Sequence, residues 1–469
     1  VLKRLCKLWV ILGLAIGGAT PLDQTGQTLL IGIAFADDDD DGGGNDDDDG
    51  GGGGSFSDDD DDDGGPILRR VQPRTRQTPA RRAAPVRRVS PIPPPIHRPE
   101  RVADEIVAPS LDEDDFQALL TQGYSLIETY ERQDDSIARR LRIPEDSTLD
   151  QAREVVRALD SGDEADFNHF YRSEQAVAPL EAAAPATWSC TEALCLKRQL
   201  IGWPQDQART RSCVGDVTIG LIDTGLNEAH EAFGTAQLDV IRLAPDELPQ
   251  SQAIHGTAVA ALLVGDPAGR SPGLVPGARV IAVDAFHRRQ GDERADVFTL
   301  IKGLTELAER GADVVNLSLA GPQNSALEEV INQLAGTENI IIVAAVGNAG
   351  SQADPLFPAA YDSVIAVTAV DQDLQVYRRA VNGAHVDLAA PGVDVWTAAS
   401  VSGVRTKTGT SFAVPFVTAA AAMLRGQNPD LTVQQAMAIL SDGARDLGEP
   451  GHDTVFGNGL ISAASVCPG

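Results

Sequence analysis

Aromatic side chains make up only 4% of the 469 residues, so a core has to come mostly from Ala, Val, Leu and Ile, which the 42% apolar content can supply. Apolar runs are short too. Leu8 to Ala19 and Leu29 to Ala36 each fall below the roughly 20 residues that span a bilayer, which argues against a membrane-crossing helix. Cysteine is scarce, and the one close pair, Cys190 and Cys195, has neither a histidine nor a second close pair beside it, which argues against a zinc site. No aromatic residue interleaves the arginines between Arg69 and Arg101, so a nucleic-acid arm is not expected. The aspartate runs lack the spaced Gly-Gly-x-Gly-x-Asp repeat of ordered calcium sites. Any calcium they bind should be weak and diffuse.

What is abundant is negative charge, a formal -30, and half of it sits in Asp37 to Asp41, Asp46 to Asp49 and Asp58 to Asp63. That glycine-rich tract has no apolar residue but Phe56, and it cannot offset its ordering entropy. Prolines such as Pro93-Pro94-Pro95 then alternate with arginines in an extended linker, which together with the acidic tract covers residues 37 to 103. Ahead of it, Lys3, Arg4 and Lys7 precede the apolar runs, and Ala34-Phe35-Ala36 has the form of a signal-peptidase site. Residues 1 to 36 are therefore expected to be an export signal, the chain's sole link to a membrane, with a secreted or periplasmic product. Four cysteines remain after its removal, Cys190, Cys195, Cys213 and Cys467, and they permit three disulfide pairings.

Residues 104 to 172 read as strand, helix, strand, strand, helix, strand, the split βαβ order of a small ferredoxin-like α+β domain. The Ala-, Pro- and Glu-rich stretch 173 to 187 reads as an exposed joint. From 188 to 469, β-branched runs alternate with helices: 295 to 310 and 326 to 334 read as helices, and 340 to 343 and 363 to 370 as strands. This predicts an α/β fold with a mainly parallel sheet covered on both faces.

Three triplets in that region carry chemistry: Asp223-Thr224-Gly225, His255-Gly256-Thr257 and Gly409-Thr410-Ser411. A serine hydroxyl becomes nucleophilic when an imidazole takes its proton, and the imidazole needs a carboxylate to hold its tautomer. Asp223 ends an apolar strand, His255 opens an apolar helix, and Ser411 opens another whose amides face any oxyanion formed there. Asn348 follows the strand 340 to 343 and can donate to the same oxyanion. His230, close behind Asp223, lacks the Gly-Thr turn of His255 and is read as a surface histidine.

With these motifs in this order, the chain resembles the subtilisin-like serine proteases, the subtilases, over roughly residues 215 to 465. The resemblance implies a three-layer subtilisin-like fold and peptide hydrolysis by Asp223, His255 and Ser411 with Asn348 at the oxyanion. Polypeptide substrates would lie between Leu317, Ser318, Leu319 and Ala320 on one side and Ala344, Ala345, Val346 and Gly347 on the other. Residues 104 to 172 are similar to a subtilase propeptide, which implies an intramolecular inhibitor and folding chaperone, removed by self-cleavage between Tyr171 and Trp188.

Two departures stand out. Ala320 replaces a glycine common at the pocket rim, and Gly269-Arg270-Ser271-Pro272-Gly273 lacks the Asn and Asp of the family's tight calcium loop. No metal is assigned and no cofactor is required. The alternatives are a secreted pseudoenzyme or surface-binding protein on the same fold, and a transpeptidase or esterase that diverts the acyl-enzyme.

Overall fold

A computed structural model describes residues 98–132, 134–173 and 193–467. The expected export signal, the acidic tract, nearly all of the arginine linker and most of the joint lie outside these residues. None of the described helices is long and apolar enough to cross a membrane.

The first part follows the expected order: β1 (Arg101–Ala108), α1 (Glu113–Thr121), β2 (Ser125–Glu131), β3 (Ile137–Arg142), α2 (Leu149–Arg157) and β4 (Asp166–Ser173). Strand β1 begins inside the stretch assigned to the linker, and β4 runs one residue into the assigned joint. Both helices start at side-chain caps, Asp112 for α1 and a Thr148–Gln151 capping box for α2. The strands pair antiparallel in the order β2-β3-β1-β4. Ile106, Leu119, Leu141, Val156 and Phe167 form a small core between sheet and helices.

The second part contains α3 (Ala193–Leu200), α4 (Gln207–Val214), β5 (Thr218–Asp223), β6 (Gln237–Arg242), α5 (His255–Val264), β7 (Arg279–Asp284), β8 (His287–Arg289), β9 (Asp292–Asp296) and α6 (Val297–Glu309). After these come β10 (Val314–Leu317), β11 (Leu319–Ala320), α7 (Ser325–Gly336), β12 (Ile341–Ala345), β13 (Val364–Val370) and β14 (Leu388–Pro391). The chain closes with β15 (Val395–Ala398), β16 (Val404–Lys407), α8 (Val414–Gln427) and α9 (Val433–Asp442). Seven strands form a wholly parallel sheet in the order β14-β13-β12-β10-β5-β7-β6.

Alternation along each strand makes the layers. Ile219, Leu221, Val280, Ala282, Ile341 and Val343 face α5 and α8, whereas Ile222, Ile281, Val283, Val315 and Ile342 face α6 and α7. The result is the three-layer α/β fold expected. One helix differs from expectation: residues 295 and 296 belong to β9, and α6 starts only after Asp296, whose side chain caps it. Another difference concerns Ser411, which lies in a single 3-10 turn, Thr410–Phe412, ahead of α8 rather than at the first residue of that helix. Cys213 pairs with Cys467, with Cα atoms 6.0 Å apart, so one of the three possible pairings includes this bond.

The two parts share strands. β4 pairs antiparallel with β9 through Phe170↔Asp296 and Tyr171↔Ala295, and with β11 through Arg172↔Ala320 and Ser173↔Leu319.

Candidate active site

The carboxyl end of β5 delivers Asp223, and the chain turns at once through Thr224 and Gly225. Helix α5 begins against that turn. The Gly256 amide donates to Thr224 Oγ1 at 2.9 Å, and the Asn227 amide donates to Thr257 Oγ1 at 2.8 Å. A Cβ on Gly256 would lie 2.3 Å from the Thr224 carbonyl oxygen, so no other residue fits beneath the turn. The interlocked turns set His255 Nδ1 at 2.7 and 2.9 Å from the two oxygens of Asp223. Both side chains are 1% exposed. A carboxylate so placed accepts a hydrogen bond from Nδ1–H, which keeps the proton on that nitrogen and leaves Nε2 with its lone pair free to act as the base.

A second strand end is tied to this turn. Ser251 Oγ accepts from the Gly225 amide at 2.7 Å and donates to Asp284 Oδ1 at 3.1 Å, and Arg242 holds the other oxygen of Asp284 at 2.6 Å. Burial pushes the Asp284 carboxyl up, and Arg242 only partly offsets it. Glu293 on β9 accepts the Gln252 amide at 2.5 Å, and its pKa is raised, chiefly by burial and then by the Asp223 charge, with the Gln252 amide opposing.

Ser411 is fully buried. Its hydroxyl donates to the Ser318 carbonyl at 3.2 Å, while Ser318 Oγ donates to the Ser411 carbonyl at 2.9 Å. Behind them, Thr418 on α8 donates to Asn316 Oδ1 at 3.0 Å, and Asn316 Nδ2 donates to Ser318 Oγ at 2.9 Å. The ring of Phe412, the next residue after Ser411, packs on the His255 ring with centroids 5.3 Å apart. His255 Nε2 is buried and has no hydrogen-bond partner among the described residues. The structure thus joins Asp223 to His255 and packs Phe412, the residue after Ser411, on the imidazole, while the Ser411 hydroxyl donates to the Ser318 carbonyl.

Asn348 lies beyond β12, and its Oδ1 accepts from Thr410. Leu317 and Ala344 sit opposite each other in the β10–β12 register, so the two expected pocket walls are neighbours. Ala320 pairs with Arg172 of β4. His230 departs from expectation. It is 3% exposed, its Nδ1 accepts the Ala232 amide at 3.0 Å, and it is a structural cap rather than a surface group. In the loop after α5, the Arg198 guanidinium donates to the carbonyls of Pro272 and Gly273. Among the described residues no cluster of three or more His, Cys, Asp or Glu is arranged to hold a metal ion.

Asn316, Thr418, Ser251, Asp284, Asp292 and Glu293 escaped the sequence reading. Asp284 had one available signal, an acidic residue closing an apolar β-branched run, the same pattern that drew attention to Asp223.

The profile described as the subtilase family matches residues 215–459. Subtilisin DY of Bacillus licheniformis is 32% identical over 54% of this chain and 90% of its own. Thermitase of Thermoactinomyces vulgaris is 30% identical over 55% of this chain and 85% of its own. Among solved structures, fervidolysin from Fervidobacterium pennivorans, described as a keratinolytic enzyme related to subtilisin, superposes with a TM-score of 0.66 at 20% identity. It covers 80% of this chain, which spans 62% of that one, and the likeness is one of fold.

Proposed function

The chain belongs to the subtilase family and is a serine endopeptidase, and on that premise we propose that Ser411, His255 and Asp223 carry out its reaction and that it is exported as a self-processed precursor. The observation that carries the site assignment is the buried Asp223–His255 pair, with Nε2 unpartnered and packed beside the Ser411 turn. A rotation about the Ser411 Cα–Cβ bond releases the hydroxyl from Ser318 towards the imidazole, and catalytic hydrogen bonds commonly tighten only when substrate binds.

In the reaction, Ser411 Oγ attacks the peptide carbonyl carbon and its proton passes to His255 Nε2. The Ser411 amide and the Asn348 carboxamide hold the oxyanion. Collapse of the tetrahedral adduct breaks the C–N bond, and the leaving nitrogen takes the proton from His255. Water then gives a proton to His255 Nε2 as it attacks the acyl carbon, and collapse of this second adduct breaks the ester bond while His255 returns the proton to Ser411 Oγ. Asp223 stays ionised throughout and steadies the imidazolium.

Residues 98–173 act as the inhibitor and folding template of the precursor. This reading is supported by β4, which fills the space between β9 and β11 where an extended polypeptide would add a strand. Cleavage falls after Ser173, because the residues before it are locked in those ladders. Calcium is not required after α5, where an arginine cation already sits on the loop carbonyls.

Labelling with a fluorophosphonate and N-terminal sequencing of the native chain and Ser411→Ala test the whole proposal. Ser411 should label, and only the native chain should be shortened. An unlabelled serine, or the same shortened end in both proteins, refutes it.

A further inference from the structure

We propose that the cleft contains a built receptor for an arginine side chain on the bound polypeptide, formed by the carboxylate of Asp292. The inference rests on the reading of β4 as a strand lying where substrate lies.

Arg172 meets Asp292 in a two-point fork, Nε to Oδ1 at 2.8 Å and Nη2 to Oδ2 at 2.8 Å. Such a fork needs a planar guanidinium. Lysine supplies a point charge, glutamine a weaker neutral donor, and glutamate repels. Asp292 itself belongs to β9 of the larger part of the molecule and is 2% exposed. Arg294 Nη1 bonds Asp292 Oδ2 at 3.1 Å, so the carboxylate keeps one cation when β4 departs and is neither orphaned nor obliged to move. The Phe170 ring that lies 3.9 Å from the Arg294 guanidinium leaves with β4, but the backbone of both Asp292 and Arg294 stays held by the β8–β9 pairing, through Arg289↔Asp292 and His287↔Arg294. A receptor held this way is organised before its ligand arrives.

The neighbouring residue sets the register. Tyr171 is fully buried, donates its hydroxyl to the Pro322 carbonyl at 2.5 Å, and lies so close over Gly321 that a Cβ there would meet its ring at 2.6 Å. With the aromatic ring anchored, the next side chain of an antiparallel strand points to the opposite face, and there it finds Asp292. The substrate class is therefore a polypeptide with an aromatic residue followed by arginine, a little before the bond cut. Arg172 also donates to the Pro99 carbonyl at 2.7 Å, a contact internal to residues 98–173 that a free peptide does not carry.

The test uses protein matured from the full chain and internally quenched peptides of the sequence 166 to 180, with arginine at position 172 or with Lys, Gln or Glu in its place. kcat/KM should fall by about tenfold from Arg to Gln and further to Glu, as expected for a charge-assisted bond. Asp292→Asn should lose most of that ranking. Equal rates for the Arg and Glu peptides with the native protein would overturn the proposal without reference to any variant. So would full retention of the ranking by Asp292→Asn, since Arg172 would then be only a latch of the precursor. If no peptide is cut and Ser411 does not label, the assignment of the catalytic serine fails first and takes this inference with it.

Discussion

The carboxamide oxygen of Asn348 accepts two hydrogen bonds from Thr410, from the backbone amide at 3.1 Å and from the hydroxyl at 3.2 Å. A backbone N–H can only donate, so the oxygen of Asn348 must face it and the amino group is turned the other way. The backbone is held as well, for Arg379 Nε donates to the Asn348 carbonyl at 3.2 Å. Asn348→Ala should lower kcat by about 10² to 10³ with little change in KM, the magnitude established for this donor in subtilisin. Asn348→Asp keeps the contact with Thr410 but sets a negative charge beside the oxyanion, and should be no better than alanine. Steady-state kinetics on matured protein decide it. A kcat within a few-fold of native for either variant removes Asn348 from the oxyanion site.

The residues that could be read from sequence are those whose surroundings are local. Asp223 follows a continuous apolar strand, and His255 opens an apolar helix flanked by Gly256 and Thr257. What sequence could not supply was contact across distance. Asn316 lies within β10, and the Thr418 hydroxyl that donates to it belongs to α8, 102 positions away. His230 reads as a surface group because Glu231-Ala232-Phe233 does not match the Gly-Thr turn after His255, and that mismatch says nothing of the fold that covers it. The last two residues of β9, Ala295 and Asp296, read as the start of a helix because they pair with Tyr171 and Phe170 far earlier in the chain, and no local period records that pairing. The 3-10 turn at Ser411 escaped for a simpler reason: its apolar pattern is the same as that of the helix it precedes.

Two side chains of β4 cover the starts of two helices in the larger part. Asn168 Oδ1 accepts the Phe298 amide at the head of α6 at 3.3 Å, and Asp166 Oδ2 accepts the Ser325 amide at the head of α7 at 3.0 Å. The helices' own caps, Asp296 and Asn324, take the Thr299 and Leu327 amides and leave these first-turn donors open. Asn168→Ala and Asp166→Ala, made in the Ser411→Ala precursor, should each cost about 0.5–2 kcal/mol. Asp166 should sit at the upper end, because Arg153 and Arg157 lose their partner as well. Urea unfolding measures both, and unchanged midpoints would show that β4 does not support the helices.

Cys213 at the end of α4 and Cys467 bridge 254 positions of chain, and both sulfur-bearing side chains are buried. A crosslink across so long a loop removes much of the freedom of the unfolded chain. Cys467→Ser is expected to reduce stability by about 2–5 kcal/mol. Guanidinium unfolding with and without reductant should reproduce the loss in the native chain and show no further loss in the variant. A native midpoint indifferent to reductant, with the bond shown to be broken, would contradict this.

Asp387 gives stability a pH dependence of unusual sign. It lies just before β14, its Oδ2 accepts the Ala366 amide at 2.7 Å, and burial nonetheless pushes its carboxyl up to about 6. The folded state therefore holds this proton more tightly than the unfolded chain does. The contribution is fully present below the unfolded value near 3.8 and is lost as pH rises through about 6. Asn cannot ionise, yet its carbonyl oxygen can still accept from Ala366. Asp387→Asn should then melt at a higher temperature than the native chain above pH 6, with the difference shrinking towards pH 4. Paired melting curves in the Ser411→Ala background exclude self-digestion as a cause. A difference that grows on acidification would mean that Asp387 is ionised and stabilising in the fold, and that the Ala366 amide outweighs its burial.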